Sequence, residues 1–218
     1  QDLGNWDVSN GTNFESMFSG SAINQDIGSW DVSNGTDFAY MFFKASDFNQ
    51  DIGNWDVGNS TTFKRMFALS AFNQDIGSWD VNKGTDFSEM FTNATDFNQD
   101  IGSWDVSSGE DFHSMFSLAT NFDQDIGDWD VSKGTNFAYM FYEADSFNQD
   151  ISSWTINENA SLNSMFEGAD RMQGVGDTPS IYYFNPYVFT DKNTLQTAID
   201  AWTEDPDAAK ETYGEINK

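Results

Sequence analysis

The chain has 218 residues, no cysteine, and a formal charge of −27 from 9 basic and 36 acidic side chains. The absence of thiols excludes a disulfide framework and thiolate metal ligation, and so acidic a surface makes nucleic acid and anionic membranes poor partners. With no run of 18 apolar residues and no signal peptide, no direct membrane insertion of this segment is expected.

The first residues, Gln1-Asp2-Leu3-Gly4-Asn5-Trp6, carry a pattern that returns throughout and is fullest in Phe48-Asn49-Gln50-Asp51-Ile52-Gly53-Asn54-Trp55-Asp56-Val57. Aligned on Trp6, Trp30, Trp55, Trp79, Trp104, Trp129 and Trp154, the copies lie 24 or 25 residues apart. A fixed period of roughly 20–29 residues is the signature of a leucine-rich-repeat type stack. Within a unit, Ile27-x-x-Trp30-x-Val32 has the spacing of its short strand, with Trp30 and Val32 inward and Ser29, Asp31 and Ser33 outward. Asn34-Gly35-Thr36 reads as a turn. Phe38, Met41 and Phe42, at i, i+3 and i+4, then predict one or two helical turns capped by Thr36 or Asp37.

The expected fold is therefore α/β: a leucine-rich-repeat-like solenoid of about seven 24–25-residue coils, each a short parallel strand plus a short helix, over residues 1–168. The inward residues of one coil, Ile27, Trp30, Val32, Phe38, Met41, Phe42, Ala45 and Phe48, form a face that only stacking can bury. The tryptophans Trp6 to Trp154 are read as a core ladder. If each ring removes roughly 150–250 Å² from water at about 25 cal/mol per Å², the ladder contributes on the order of 4–6 kcal/mol per coil before entropy is subtracted.

The runs FNQDIGSWDVSNGTDFAYMF and FNQDIGSWDVNKGTDFSEMF resemble the repeat of the BspA-like leucine-rich-repeat surface proteins, over residues 1 to about 168. The resemblance implies an extracellular or cell-surface location and a role in adhesion or surface structure. The chain departs from the usual pattern in having Gly11, Gly35, Gly84, Gly109 and Gly134 in the turn, each followed three residues on by Phe. The large ring is expected to refill the volume that Gly vacates.

Three polar columns repeat with the coil. Asp7, Asp31, Asp56, Asp80, Asp105 and Asp130 share one outward strand position, which stacked strands would place about 4.8 Å apart. Repulsion of roughly 1 kcal/mol per neighbouring pair in water is tolerable, so no cofactor is required. Oxygen-only ligands suit Ca²⁺ nonetheless, which makes this column the candidate metal site. Asp26, Asp51, Asp75, Asp100, Asp125 and Asp150 are placed to accept backbone N–H groups at the turn, and Asn24, Asn49, Asn73, Asn98 and Asn148 to form a side-chain hydrogen-bond ladder. The sequons at Asn10, Asn34, Asn59, Asn93 and Asn159 serve either as glycan acceptors in a eukaryotic secretory pathway or as turn formers.

The pattern decays after Trp154, where Thr155, Ile156 and Leu162 replace Asp, Val and Phe. Residues 169–218 are read as a loop, an extended segment and a helical cap or linker to a further repeat block. The loop is Gly174 to Pro179 and the extended segment Ile181 to Phe189. Leu195, Ala198, Ile199 and Trp202 mark one helix, and Asp205-Pro206 opens a second that stops at Gly214. The chain is expected to continue in a longer parent. Its first coil is expected to be covered by upstream sequence or by a second copy stacked end to end.

Enzyme signals are nearly absent. His113, the one histidine, reads as a solvent-facing helix residue, and no nucleophile motif accompanies it. The functional expectation is a non-enzymatic adhesive, structural or protein-binding scaffold with other proteins or surface polymers as partners; the alternative is Ca²⁺ or mineral-surface binding through the Asp ladders.

Overall fold

The computed structural model describes residues 2–171 apart from 152, 158 and 170, within the first of two units, Gln1–Arg171. The expected segments between Gly174 and Gly214 lie outside the described residues. Seven coils, numbered here by their tryptophans from Trp6 to Trp154, stack through isolated parallel bridges, among them Asn13 to Asp37, Asp37 to Thr62 and Thr62 to Asp86.

The expected strand-plus-helix coil is not what the chain forms. Ile27–Val32 is not a strand and Asp37–Phe42 is not a helix; the first holds one turn at Gly28–Ser29, and the second is an isolated bridge at Asp37 followed by turns from Ala39. The acidic side chains cause the first difference. Asp26 Oδ1 accepts the Gly28 N–H at 3.0 Å and Asp31 Oδ1 the Ser33 N–H at 3.1 Å, while Trp30 N–H closes a turn onto the Ile27 carbonyl at 3.1 Å. Local side-chain acceptors thus take the donors that a strand ladder would use. Even so, Trp30 and Val32 are buried and Ser29 and Asp31 exposed.

The second difference lies in the backbone. Tyr40 and Lys44 have φ of 59° and 58°, and the same two positions are left-handed in every coil from Ser16 to Ser164. No helix accommodates such residues. The hydrogen bonds alternate instead: Tyr40, Phe42 and Lys44 N–H groups donate to the next coil, at Lys64, Met66 and Ala68, whereas Met41, Phe43 and Ala45 donate three residues back. Every backbone donor of the segment is satisfied, half within the coil and half across it.

The core is a set of aromatic columns. Trp30, Trp55, Trp79, Trp104, Trp129 and Trp154 are buried, with the ring planes of Trp30 and Trp55, and of Trp79 and Trp104, within a few degrees of parallel and Trp55 and Trp79 each set against two Phe rings of the preceding coil. Trp6 is the exception, at 43% exposure. Each later indole N–H donates to a carbonyl in the preceding coil, as Trp79 does to Ile52 at 3.2 Å, so the polar end of the ring is also paired. Phe42 and Phe48 stack within one coil at 3.8 Å. Each fully buried Phe contributes about 1.5–3 kcal/mol.

Two glycine columns permit this packing. A Cβ on Gly28 would lie 2.5 Å from the Asp51 carbonyl oxygen of the next coil, and one on Gly84 2.5 Å from Phe87 Cζ. The ring therefore occupies the volume above the turn glycine. The coils of Trp6 and Trp55 are one residue shorter than that of Trp30, and both carry Ser where the longer coils carry Ala. Ser70 Oγ donates to the Phe67 carbonyl at 2.7 Å and accepts from Phe72 N–H at 3.3 Å, replacing the bond that Phe48 N–H makes to Ala45.

Candidate interaction face

Most positions repeat because the stack needs them; a few do not. One and two residues after the first Phe of each coil stand Glu15-Ser16, Ala39-Tyr40, Lys64-Arg65, Ser88-Glu89, His113-Ser114 and Ala138-Tyr139. Five and six residues after it stand Ser19-Gly20, Phe43-Lys44, Ala68-Leu69, Thr92-Asn93, Ser117-Leu118 and Tyr142-Glu143. All belong to the segment with left-handed residues, whose coil-to-coil backbone bonds align the same positions of successive coils. Its main chain is constant while its side chains change, the pattern of a recognition surface on a repeat protein.

The coils of Trp30 and Trp55 carry no acid at these eight positions, although the chain as a whole is strongly acidic. Tyr40 and Phe43 meet edge to face at 5.7 Å, and the Arg65 guanidinium lies 5.6 Å from the first ring and 5.7 Å from the second. Lys44 Nζ sits 5.0 Å from the Phe43 ring. Arg65 is ion-paired with Glu89 of the following coil, and the hydrogen bond to that carboxylate raises its pKa. The Lys44 and Lys64 ammonium groups form no ion pair with the described residues.

A second aromatic group lies farther along. His113 meets Tyr139 edge-on at 5.9 Å, and Tyr139, 41% exposed, meets Tyr142 at 5.9 Å. A hydrogen bond with Glu143 raises the Tyr142 pKa. His113 sits in a turn, half-buried beside Ser114 Oγ, and not on a helix. The coils of Trp30, Trp55 and Trp79 also line a shallow notch of about 250 Å³, formed by Ser46, Leu69, Ser70, Ala71, Asn93, Thr95 and Asp96.

The residues singled out from the sequence lie elsewhere. Asp7, Asp31, Asp56, Asp80, Asp105 and Asp130 are exposed, in turns and not on a strand, and each accepts the N–H two residues on, as Asp56 does from Gly58 at 3.0 Å. Hydrogen bonds from Ser9, Ser33, Ser107 and Ser132 hold Asp7, Asp31, Asp105 and Asp130 below the usual carboxylate range. No three acidic or histidine side chains converge as a metal site among the described residues. The second Asp column caps turns likewise, from Gly28 to Gly127.

The Asn column bonds between coils. Asn24 Oδ1 accepts from Asn49 N–H at 3.0 Å and from Gln50 Nε2 at 2.9 Å, and Asp123 takes the Asn place in one coil. Of the sequon residues, Asn10, Asn34, Asn59 and Asn159 are exposed and Asn93 half-buried. Asn34 Nδ2 and Asn59 Nδ2 donate to the Ser9 and Ser33 carbonyls, both at 2.8 Å.

The variable face escaped reading along the chain because its residues form no motif. Comparing the copies column by column marks it, since Tyr, Phe, Lys and Arg occur where neighbours have Ser, Ala or Gly.

Residues 1–94 and 68–179 match the family described as Mycoplasma protein of unknown function, DUF285. No curated protein and no solved structure is detectably similar to the chain.

Proposed function

From its membership of the DUF285 family, which the two matched stretches establish, and from the division between constant frame and variable face, we propose that the chain is a non-enzymatic surface scaffold that binds protein partners through that face. The observation that carries the reading is the concentration of Tyr, Phe, Arg and Leu at the non-repeating positions of an otherwise Asp-, Asn- and Ser-rich exterior. Tyr and Arg are enriched among residues that dominate binding energy, and aromatic side chains generally at interfaces. The resemblance to BspA-like proteins supports an extracellular or cell-surface placement and an adhesive role.

The test is adhesion of beads coated with the chain to cells of the source species, competed by soluble chain. Replacing Tyr40, Phe43, Arg65 and Tyr139 together by Ser should abolish the competed fraction. Replacing Ser29, Ser78 and Ser103, exposed near the tryptophan edge, by Ala should leave it intact. Equal adhesion by the first variant and the native chain sinks the proposal.

A further inference from the structure

We infer that the patch formed by Tyr40, Phe43, Lys44, Lys64 and Arg65 is a docking site for an acidic, aromatic-containing peptide segment of a partner protein that crosses the stack. This rests on the reading of the variable face and names the partner's chemistry. The cations establish the sign of the partner. Nine basic residues stand against 36 acidic ones in the chain, yet three of them occupy variable positions on two adjacent coils here, with no acid among the eight variable positions of those coils. Arg65 is held by Glu89, which keeps its guanidinium beside the Tyr40 and Phe43 rings. Lys44 and Lys64 are left to meet a ligand carboxylate.

The rings establish the second requirement. Tyr40 and Phe43 are half-buried and meet edge to face, leaving part of each ring available to an aromatic or aliphatic side chain. The boundaries establish the direction. Glu15 in the coil before and Glu89 in the coil after stand at the flanking variable positions. A long polyanion laid along the stack would meet both carboxylates, whereas a short acidic segment that crosses it between Asp37 and Asp47 meets no acid at the eight variable positions.

The net charge of −27 opposes the approach of any acid. At about 0.1 M salt the screening length is roughly 10 Å, so remote carboxylates are damped while contact pairs persist. Affinity should therefore be highest at intermediate ionic strength and fall on either side.

The test uses the full chain and a fluorescent peptide of alternating glutamate and tyrosine, with heparin as the polyanion comparator and salt as the variable. The expected result is saturable peptide binding that weakens about tenfold or more in K44Q/K64Q, survives in K44R/K64R, and is unchanged in K83Q/K133Q, which removes the same charge elsewhere. Melting temperatures of the variants establish that each is folded. No saturable binding, or equal loss in both glutamine pairs, overturns the inference. Heparin binding more tightly than the peptide and lost in K44Q/K64Q overturns it in favour of a polyanion site. If the peptide does not bind but the four-residue Ser variant still loses adhesion, the face reading stands and only the partner chemistry assigned here is wrong.

Discussion

The Ile52 carbonyl accepts two hydrogen bonds, one from the Trp55 N–H of its own coil at 3.0 Å and one from the Trp79 indole N–H of the next at 3.2 Å. A single oxygen thus closes a turn and joins two coils, using both of its lone pairs. Trp79→Ala removes a ring that is 3% exposed and should cost about 3–5 kcal/mol in denaturant unfolding. Trp79→Phe keeps most of the packing and leaves the second bond of Ile52 unmade. A cost of about 1–3 kcal/mol is expected, and a loss as large as that of the Ala variant would show that ring volume matters little beside the indole N–H.

The contact between Gly84 and Phe87 gives a second prediction. Gly84→Ala places a methyl where Phe87 Cζ now lies 2.5 Å away, and should destabilise by about 1–3 kcal/mol. The coil of Trp55 shows how the site yields, because Ser60 already carries a Cβ there. The neighbouring rings Phe38 and Phe63 stand 6.3 Å apart, against 5.6 Å for Phe87 and Phe112. Accordingly, Phe87→Leu should cost less in the Gly84→Ala background than in the native chain. Strict additivity in a double-mutant cycle would refute the steric coupling.

Leu69 tests the backbone directly, since it is exposed yet held at φ 59°. None of the left-handed positions carries Val, Ile, Thr or Pro. Leu69→Ile should destabilise by about 1–3 kcal/mol despite its conservative chemistry, and Leu69→Asn should be neutral or stabilising. Equal stabilities for the two variants would mean that the left-handed turn is absent in solution.

Acid should loosen the stack. Asp7, Asp31, Asp105 and Asp130 are held below their ordinary value, first by the Ser hydroxyl two residues on and then by its N–H. A carboxylate depressed in the folded state adds stability above its unfolded pKa and loses it as pH falls through the folded one. Melting temperature should therefore be flat near neutrality and fall below about pH 4. Replacing the four serines by Ala should lower the neutral plateau and make that fall shallower, and an unchanged acid limb would separate these caps from acid stability.

Calcium should leave the melting temperature unchanged and give no saturable heat, because the Asp columns are engaged in capping and no three acids converge among the described residues. A saturable exchange in calorimetry would return the Asp7-to-Asp130 column to candidacy as a ligand set.

The period and the inward residues were legible because Trp30, Val32, Phe38 and Phe42 recur in each coil up to that of Trp129, and a coil with a neighbour on both sides buries the large rings at that spacing. The local conformation was not. Phe38, Met41 and Phe42 fit a helical face, but the same spacing suits a turn ladder in which Tyr40 and Lys44 reverse the sign of φ, and apolar periodicity carries no information about that sign. The turns themselves had a signature, Asp26-x-Gly28 and Asp31-x-Ser33, whose meaning as competing hydrogen-bond acceptors outweighs the strand spacing of Ile27, Trp30 and Val32. The candidate face was legible only as a departure from repetition at Tyr40, Arg65 and Tyr139.

The alternation of donors at Tyr40, Met41, Phe42 and Phe43 also determines how the molecule should yield to force. Each coil is fastened to the next by its own row of backbone bonds, as Tyr40, Phe42 and Lys44 are to Lys64, Met66 and Ala68, so a chain pulled from one end should peel in equal steps. At about 3.4 Å per extended residue, releasing 24 or 25 residues lengthens the tether by roughly 80–85 Å. A protein anchored at one end and gripped at the face could then absorb successive jolts, surrendering one coil at a time while the coils behind it keep their hold.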